Sequence, residues 1–274
     1  MKYSQIKLSE KYSDALLECY IHSPYEELAI SKRKAIIVCP GGGYQALSER
    51  EAEPVALQYF AAGLNAFILR YSINEKAADY APLIEACLAI KYVRDHSEEF
   101  CVDTDYVYIT GFSAGGHLAA WAGTQWHIDR VREAINGSDI SLCKPTATVL
   151  CYPVITSFEY AHRGSIYVLN GFSDDPEGMS RFSLEKFVDG DTSPAFLWHT
   201  AQDMGVPVQN SLLYASQLAE HKIPFELHIY PTGNHGLSLC NKETWSKNPD
   251  MLSDYNRGWI DKAIKWVTEA PFKK

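Results

Sequence analysis

The chain contains no stretch approaching the roughly 20 consecutive apolar residues that a membrane-spanning helix needs. Positive charge is also in deficit: 25 Lys and Arg stand against 34 Asp and Glu, for a formal charge of −9. A nucleic acid or an anionic membrane surface selects a basic face, so neither is an expected partner. No His-Glu-x-x-His run and no Cys or His pair at ligand spacing occurs, which argues against metal-dependent hydrolysis; no metal and no cofactor are expected. The seven cysteines are odd in number and lack redox or zinc-knuckle spacing. Cys39, Cys87 and Cys151 fall in apolar runs and read as small core residues. Met1-Lys2-Tyr3-Ser4-Gln5 lacks an apolar signal segment, which makes a reduced cytoplasm the expected compartment. Internal repeats, low-complexity tracts and Pro/Gly-rich linkers are absent as well.

What is present is enough for a large core: 274 residues, 46% of them apolar, which fits one α/β domain over residues 1–274. Short β-branched or aromatic runs alternate with longer amphipathic ones, the pattern of a mostly parallel sheet flanked by helices. Strands are expected at Ala35 to Cys39, Asn65 to Tyr71, Tyr106 to Thr110, Ala147 to Tyr152, Ala195 to Thr200 and Phe225 to Tyr230. Helices are expected at Glu49 to Ala62, Tyr80 to Phe100, Gly115 to Trp126, Val208 to His221 and Ser253 to Ala270. Tyr12 to His22 is a candidate antiparallel edge strand. Residues 155–194 break the alternation with scattered aromatics and an acidic turn at Asp174-Asp175-Pro176. So long a connection reads either as a lid-like insertion with short helices of its own or as a packing element without a substrate role.

The chemistry centres on Gly111-Phe112-Ser113-Ala114-Gly115, a G-x-S-x-G match. Alone the motif is weak, since a chain of this length shows it by chance roughly once in ten. Its setting is more specific: Tyr106 to Thr110 reads as a strand running into it, and a helix opens after it. A strand–turn–helix elbow holds its serine in a strained conformation and needs small residues on both sides. It also places the Ala114 N–H at a helix start, where it can donate to a developing oxyanion. Pro40-Gly41-Gly42-Gly43-Tyr44 follows the Ala35 to Cys39 run, where further backbone donors for an oxyanion are expected. A flexible turn is the plain alternative, and a phosphate loop is not expected there, because neither G-x-G-x-x-G nor a Gly-Lys-Ser ending is present.

A serine hydroxyl needs a base, and nine histidines compete for the role. His235 lies in a loop just past the last strand, where the order serine, acid, histidine places the base. His199 and His228 fall inside strand runs and read as core or sheet-face residues. His117, on the elbow helix, either lines the site or packs. His22, His96, His127, His162 and His221 have no placement that suggests catalysis. Asp203 is the acid that follows the Ala195 to Thr200 strand; Asp191, ahead of that strand, is the alternative.

Taken together, several segments resemble one known group. They are Gly41-Gly42-Gly43-Tyr44, Glu53-Pro54-Val55-Ala56, Ala66 to Tyr71, Ala89 to Arg94 leading into Gly111 to Leu118, Thr192-Ser193-Pro194, Asp203, and Gly233-Asn234-His235-Gly236. From about Lys34 onward the chain is similar to the acetyl-xylan-esterase-like and short-chain carboxylesterase branch of the α/β-hydrolases. That resemblance implies the α/β-hydrolase fold and a serine esterase that removes short acyl groups, acetyl above all, from small or carbohydrate esters. It makes Ser113, Asp203 and His235 the catalytic triad and Gly42, Gly43 and Ala114 the oxyanion hole. Tyr44 and His117, beside the two motifs, are the candidate substrate contacts. Many members of the wider superfamily begin the glycine motif with His; Pro40 holds that place here and is expected to fix the loop by rigidity. Two other readings stay open: an amide-directed relative such as an arylformamidase or peptidase, and a silent binding protein. Whether the chain forms a homo-oligomer is open too.

Overall fold

Ala35 to Cys39 are apolar and fully buried, and they make up most of a strand, Arg33–Cys39, at the heart of an eight-stranded sheet. The computed structural model describes residues 1–9 and 15–270. In chain order the strands are β1 (Lys2–Lys7), β2 (Leu16–Ile21), β3 (Arg33–Cys39), β4 (Asn65–Arg70), β5 (Val102–Phe112), β6 (Thr148–Cys151), β7 (Ala195–Thr200) and β8 (Phe225–Tyr230). Their spatial order is β1-β2-β4-β3-β5-β6-β7-β8. β2 runs antiparallel to both β1 and β4; every pairing from β4 through β8 is parallel. Parallel strands need crossovers, and helices supply them on both faces of the sheet.

The pleat divides the core in two. Ala35, Ile37 and Cys39 of β3 point to one side, where Ala81–Asp95, Ala114–Thr124 and Gln209–Glu220 bury Ile90, Leu118, Trp121, Tyr214 and Leu218. Ile36 and Val38 point to the other, against Glu53–Ala61 and Trp259–Glu269. Ala114–Thr124 is buried along its whole length, as its run of Ala, Gly and Leu permits. Trp259–Glu269 is amphipathic instead: Trp259, Ile260, Ala263, Trp266 and Val267 are buried, and Asp261, Lys262, Lys265 and Glu269 are exposed. Trp259 stacks on Trp198 of β7, ring centroids 5.0 Å apart, and donates its indole N–H to Ser238 O at 2.9 Å.

This is the α/β-hydrolase architecture, and its departures from expectation are local. The expected antiparallel strand exists as Leu16–Ile21, but it is second from the edge. Tyr12 to Asp14, its expected start, lie outside the described residues. The true edge is β1, whose residues are almost all exposed, so hydrophobic patterning has nothing to mark; its lysines at both ends suit an unpaired edge. The expected helix Tyr80 to Phe100 is interrupted at His96, and the one from Ser253 to Ala270 at Gly258. A short helix, Asp129–Ala134, was not expected at all. Residues 155–194 hold the helices Arg163–Leu169 and Pro176–Ser180 and a 3-10 turn, Leu184–Phe187. No helix among the described residues is long and apolar enough to cross a membrane, and all seven cysteines are free thiols.

The Trp198–Trp259 stack joins the last helix to the sheet. Trp259→Ala is expected to lower the free energy of unfolding in urea by about 3–5 kcal/mol. A loss below about 1 kcal/mol would show that this layer does not depend on the stack.

Candidate active site

Four loops meet at the carboxyl ends of β3, β5, β7 and β8, the side of an open parallel sheet where ligands bind. The loop after β5 is the sharpest. Ser113 sits between β5 and the helix Ala114–Thr124 at φ 53°, ψ −116°, a conformation that L-residues seldom adopt. It is pinned from both sides: its N–H donates to Cys151 O at 3.0 Å, and its C=O accepts from His117 N at 3.0 Å and Val154 N at 3.1 Å. The surrounding glycines are sterically required. A Cβ on Gly111 would lie 1.9 Å from Gly115 O, and one on Gly115 would lie 2.1 Å from Cys39 O.

The loop after β8 brings His235 to this serine. Its Nε2 is 2.8 Å from Ser113 Oγ, and its Nδ1 is 2.7 Å from Asp203 Oδ2. The carboxylate requires the proton on Nδ1, which leaves Nε2 as the acceptor of the Ser113 O–H. Thr200 Oγ1 and Asn256 Nδ2 brace the loop by donating to Gly233 O and Thr232 O, both at 2.8 Å. Gly205 lets the Asp203 loop come close, since a Cβ there would stand 2.9 Å from His235 Cβ.

Asp203 is buried, and burial alone would raise its pKa. Hydrogen bonds from His199 and His235, the charge His235 carries when protonated, and the Val206 N–H outweigh that and hold the carboxyl well below the ordinary range. Its other oxygen accepts from Gly205 N at 2.9 Å and Val206 N at 2.8 Å. It therefore stays ionised and can orient and offset an imidazolium. Asp191, the alternative acid, lies ahead of β7, where its backbone C=O accepts from Trp126 Nε1.

The glycine loop after β3 reaches the serine from the opposite side. A Cβ on Gly41 would lie 3.1 Å from Ser113 Cβ. Gly42 and Gly43 take φ values of 131° and 67°, which glycine alone adopts readily. The Ala114 N–H, first in its helix, has no intrahelical acceptor. Pro40 does not work by rigidity alone. Tyr71 O–H donates to Pro40 O at 2.5 Å, and Gly41 N–H donates to the buried Glu51 carboxylate at 2.9 Å.

Glu51 was not among the residues singled out from the sequence. Its second oxygen accepts from Tyr152 O–H at 2.7 Å, and the same hydroxyl accepts from Ser238 N at 2.9 Å. One carboxylate thus links the glycine loop to the histidine loop. Arg50, beside it in sequence, donates to Gly236 O at 3.0 Å and Thr244 O at 2.8 Å. Only the burial of a carboxylate just past a glycine loop could have flagged the pair, and burial is invisible in a sequence.

Ser113 and His235 open into a cavity of about 520 Å³. Its walls are glycines (Gly42, Gly43, Gly164, Gly236) and polar side chains (Gln45, Ser48, Arg50, Glu51, His162), with no apolar side chain among them. Tyr44 and His117, expected to touch substrate, do not line it. Both are fully buried, and they are spent on each other: Tyr44 O–H and His117 Nδ1 are 2.9 Å apart, while His117 Nε2 is 3.0 Å from Phe182 O. Their sequence neighbourhood beside the two motifs is real, but their side chains turn into the core.

The BD-FAE family matches residues 21–218 of the chain. The chain belongs to this family. Among solved structures, this BD-FAE chain is similar to an acetyl ester-xyloside bifunctional hydrolase of Caldicellulosiruptor lactoaceticus. The two are 35% identical with a TM-score of 0.81, and the match covers 99% of this chain and 97% of that one. It is also 37% identical over 219 residues to endo-1,4-beta-xylanase B of Butyrivibrio fibrisolvens, and 28% identical over 233 residues to an acetylxylan esterase of Xylanibacter ruminicola. These matches cover 78% and 83% of this chain but only 34% and 45% of those proteins, so the chain spans less than half the length of either.

His117 makes the site's framework sensitive to acid. Burial pushes its pKa down to about 4, against a smaller raising effect of the Phe182 carbonyl. In the unfolded chain an ordinary histidine titrates near 6.5. Between those values the unfolded state binds a proton that the folded state refuses, so stability is full above pH 6.5 and falls as pH drops toward 4. From pH 7 to 5 this one group is expected to remove about 2 kcal/mol. His117→Gln should show a correspondingly smaller fall in urea midpoint over that interval; an equal fall in both proteins would contradict the shift.

Proposed function

We propose that the protein is a carboxylic-ester hydrolase that removes short acyl groups, chiefly acetyl, from carbohydrate esters through an acyl-enzyme. The observation that carries this reading is the hydrogen-bonded series Ser113–His235–Asp203 opening into a cavity lined by glycines and polar side chains. His235 Nε2 takes the Ser113 proton as Oγ attacks the acyl carbonyl. The oxyanion is received by backbone N–H groups of Gly42, Gly43 and Ala114; one such donor is typically worth about 3 kcal/mol of barrier. His235 then passes its proton to the leaving alcohol, and a water activated by the same imidazole releases the acid. Asp203, ionised and buried, holds the ring in the tautomer this requires.

The lining supports one substrate class. A long acyl chain gains about 0.8 kcal/mol for each methylene it buries against apolar surface, and no hydrocarbon side chain lines this cavity to receive one. Polar walls suit a hydroxyl-rich alcohol. The relatives named for acetyl ester-xyloside and acetylxylan hydrolysis support the same assignment. In this reading one hydrolase domain does the work, and residues 155–194 form the wall that receives the alcohol through His162 and Gly164.

Ser113→Ala is expected to lower kcat/KM on p-nitrophenyl acetate by roughly 10,000-fold or more while the folded signal is kept. Wild-type enzyme is expected to prefer the acetate over the octanoate ester by at least about tenfold. Full activity in the folded alanine variant would remove Ser113 from the mechanism; a preference for octanoate would contradict the short-acyl assignment.

A further inference from the structure

His162 has no part in the proton transfers, yet it stands in the same cavity as Ser113 and His235. It precedes the helix Arg163–Leu169, and its Nδ1 accepts from Ser165 N at 3.3 Å and pairs with Ser165 Oγ at 2.8 Å. A backbone N–H aimed at Nδ1 fixes that nitrogen as the acceptor, so the proton sits on Nε2. Ser165 is fully buried, which locks the ring in place. The ring lies against the glycine loop, with its Cε1 3.7 Å from where a Gly43 Cβ would be. Burial, reinforced by the charge of His235, lowers its pKa despite the opposing effect of Asp203, so the imidazole is neutral.

A neutral imidazole with Nδ1 engaged and Nε2 protonated cannot serve as a second base. What remains is one fixed N–H with no acceptor among the described residues. The acyl oxygen already has backbone donors, which leaves the alcohol side of the substrate. We propose that His162 is a specificity-determining residue whose Nε2–H donates a hydrogen bond to a free hydroxyl next to the acylated oxygen of a sugar ester. This rests on the esterase reading above and deepens it: the enzyme distinguishes acyl groups on polyols from those on simple alcohols.

His162→Asn tests it, because the Asn side chain can still accept from Ser165 N at the helix start but cannot present the distant N–H. The readout is kcat/KM on p-nitrophenyl acetate, on a monoacetylated methyl xyloside with a free hydroxyl beside the ester, and on its deoxy analogue lacking that hydroxyl. The variant is expected to lose roughly tenfold more on the hydroxyl-bearing sugar than on p-nitrophenyl acetate, mostly through KM. That extra loss should vanish on the deoxy sugar. Equal losses on all three esters would assign His162 a structural role and overturn the inference while leaving the esterase reading intact. Wild-type hydrolysis of p-nitrophenyl acetate without hydrolysis of the acetylated sugar would overturn the inference and the carbohydrate assignment together. Wild-type inactivity on every ester would overturn the esterase reading itself.

Discussion

The backbone of Ser113 is held in a conformation that would cost of order 1–3 kcal/mol in isolation, and the site depends on that constraint. It turns the chain from β5 into a fully buried helix within one residue, so the hydroxyl projects from the turn while the Ala114 N–H opens the helix. Neighbouring side chains would forbid the turn: Gly111 and Gly115 back onto each other, and Gly115 backs onto Cys39 O at the end of β3. The same close approach that makes the elbow possible also sets the glycine loop beside the serine. The Ser113 hydroxyl and the backbone of the glycine loop are therefore positioned by one packing event.

A second constraint ties the remaining loops to the first. The buried Glu51 carboxylate accepts from the Gly41 amide and from Tyr152, and Tyr152 in turn accepts from the Ser238 amide, three residues past His235. The Tyr152 ring also meets the His235 ring edge-on, with centroids 5.1 Å apart. A buried carboxylate is tolerated only when its oxygens are satisfied, and here both are. The glycine loop and the His235 loop are thus referred to a common anchor, the kind of support by which a site keeps sub-ångström geometry.

How much of this was legible in the sequence follows from burial and chain distance. β3 to β7 could be read because central parallel strands bury both faces and leave apolar runs, whereas β8, at the far edge and largely uncovered, was legible through Phe225, Leu227, Ile229 and Tyr230. β1 could not, since an exposed edge strand has no pattern beyond its lysines. Ser113, Asp203 and His235 could be placed because the fold orders them along the chain, each just past a strand end. Tyr44 and His117 misled because nearness to a motif says nothing about which way a side chain points. Glu51, Arg50 and His162 gave no signal, for their roles are defined by partners on other loops or by a cavity that exists only after folding.

The central claim is that Ser113 is a nucleophile activated by His235. Its most direct test is labelling of the folded protein with a fluorophosphonate, followed by peptide mapping in the wild type and in His235→Ala. The expected result is one adduct, on Ser113, formed at a rate that falls by orders of magnitude when His235 is removed. An adduct elsewhere, or equal labelling rates in the two proteins, would contradict it.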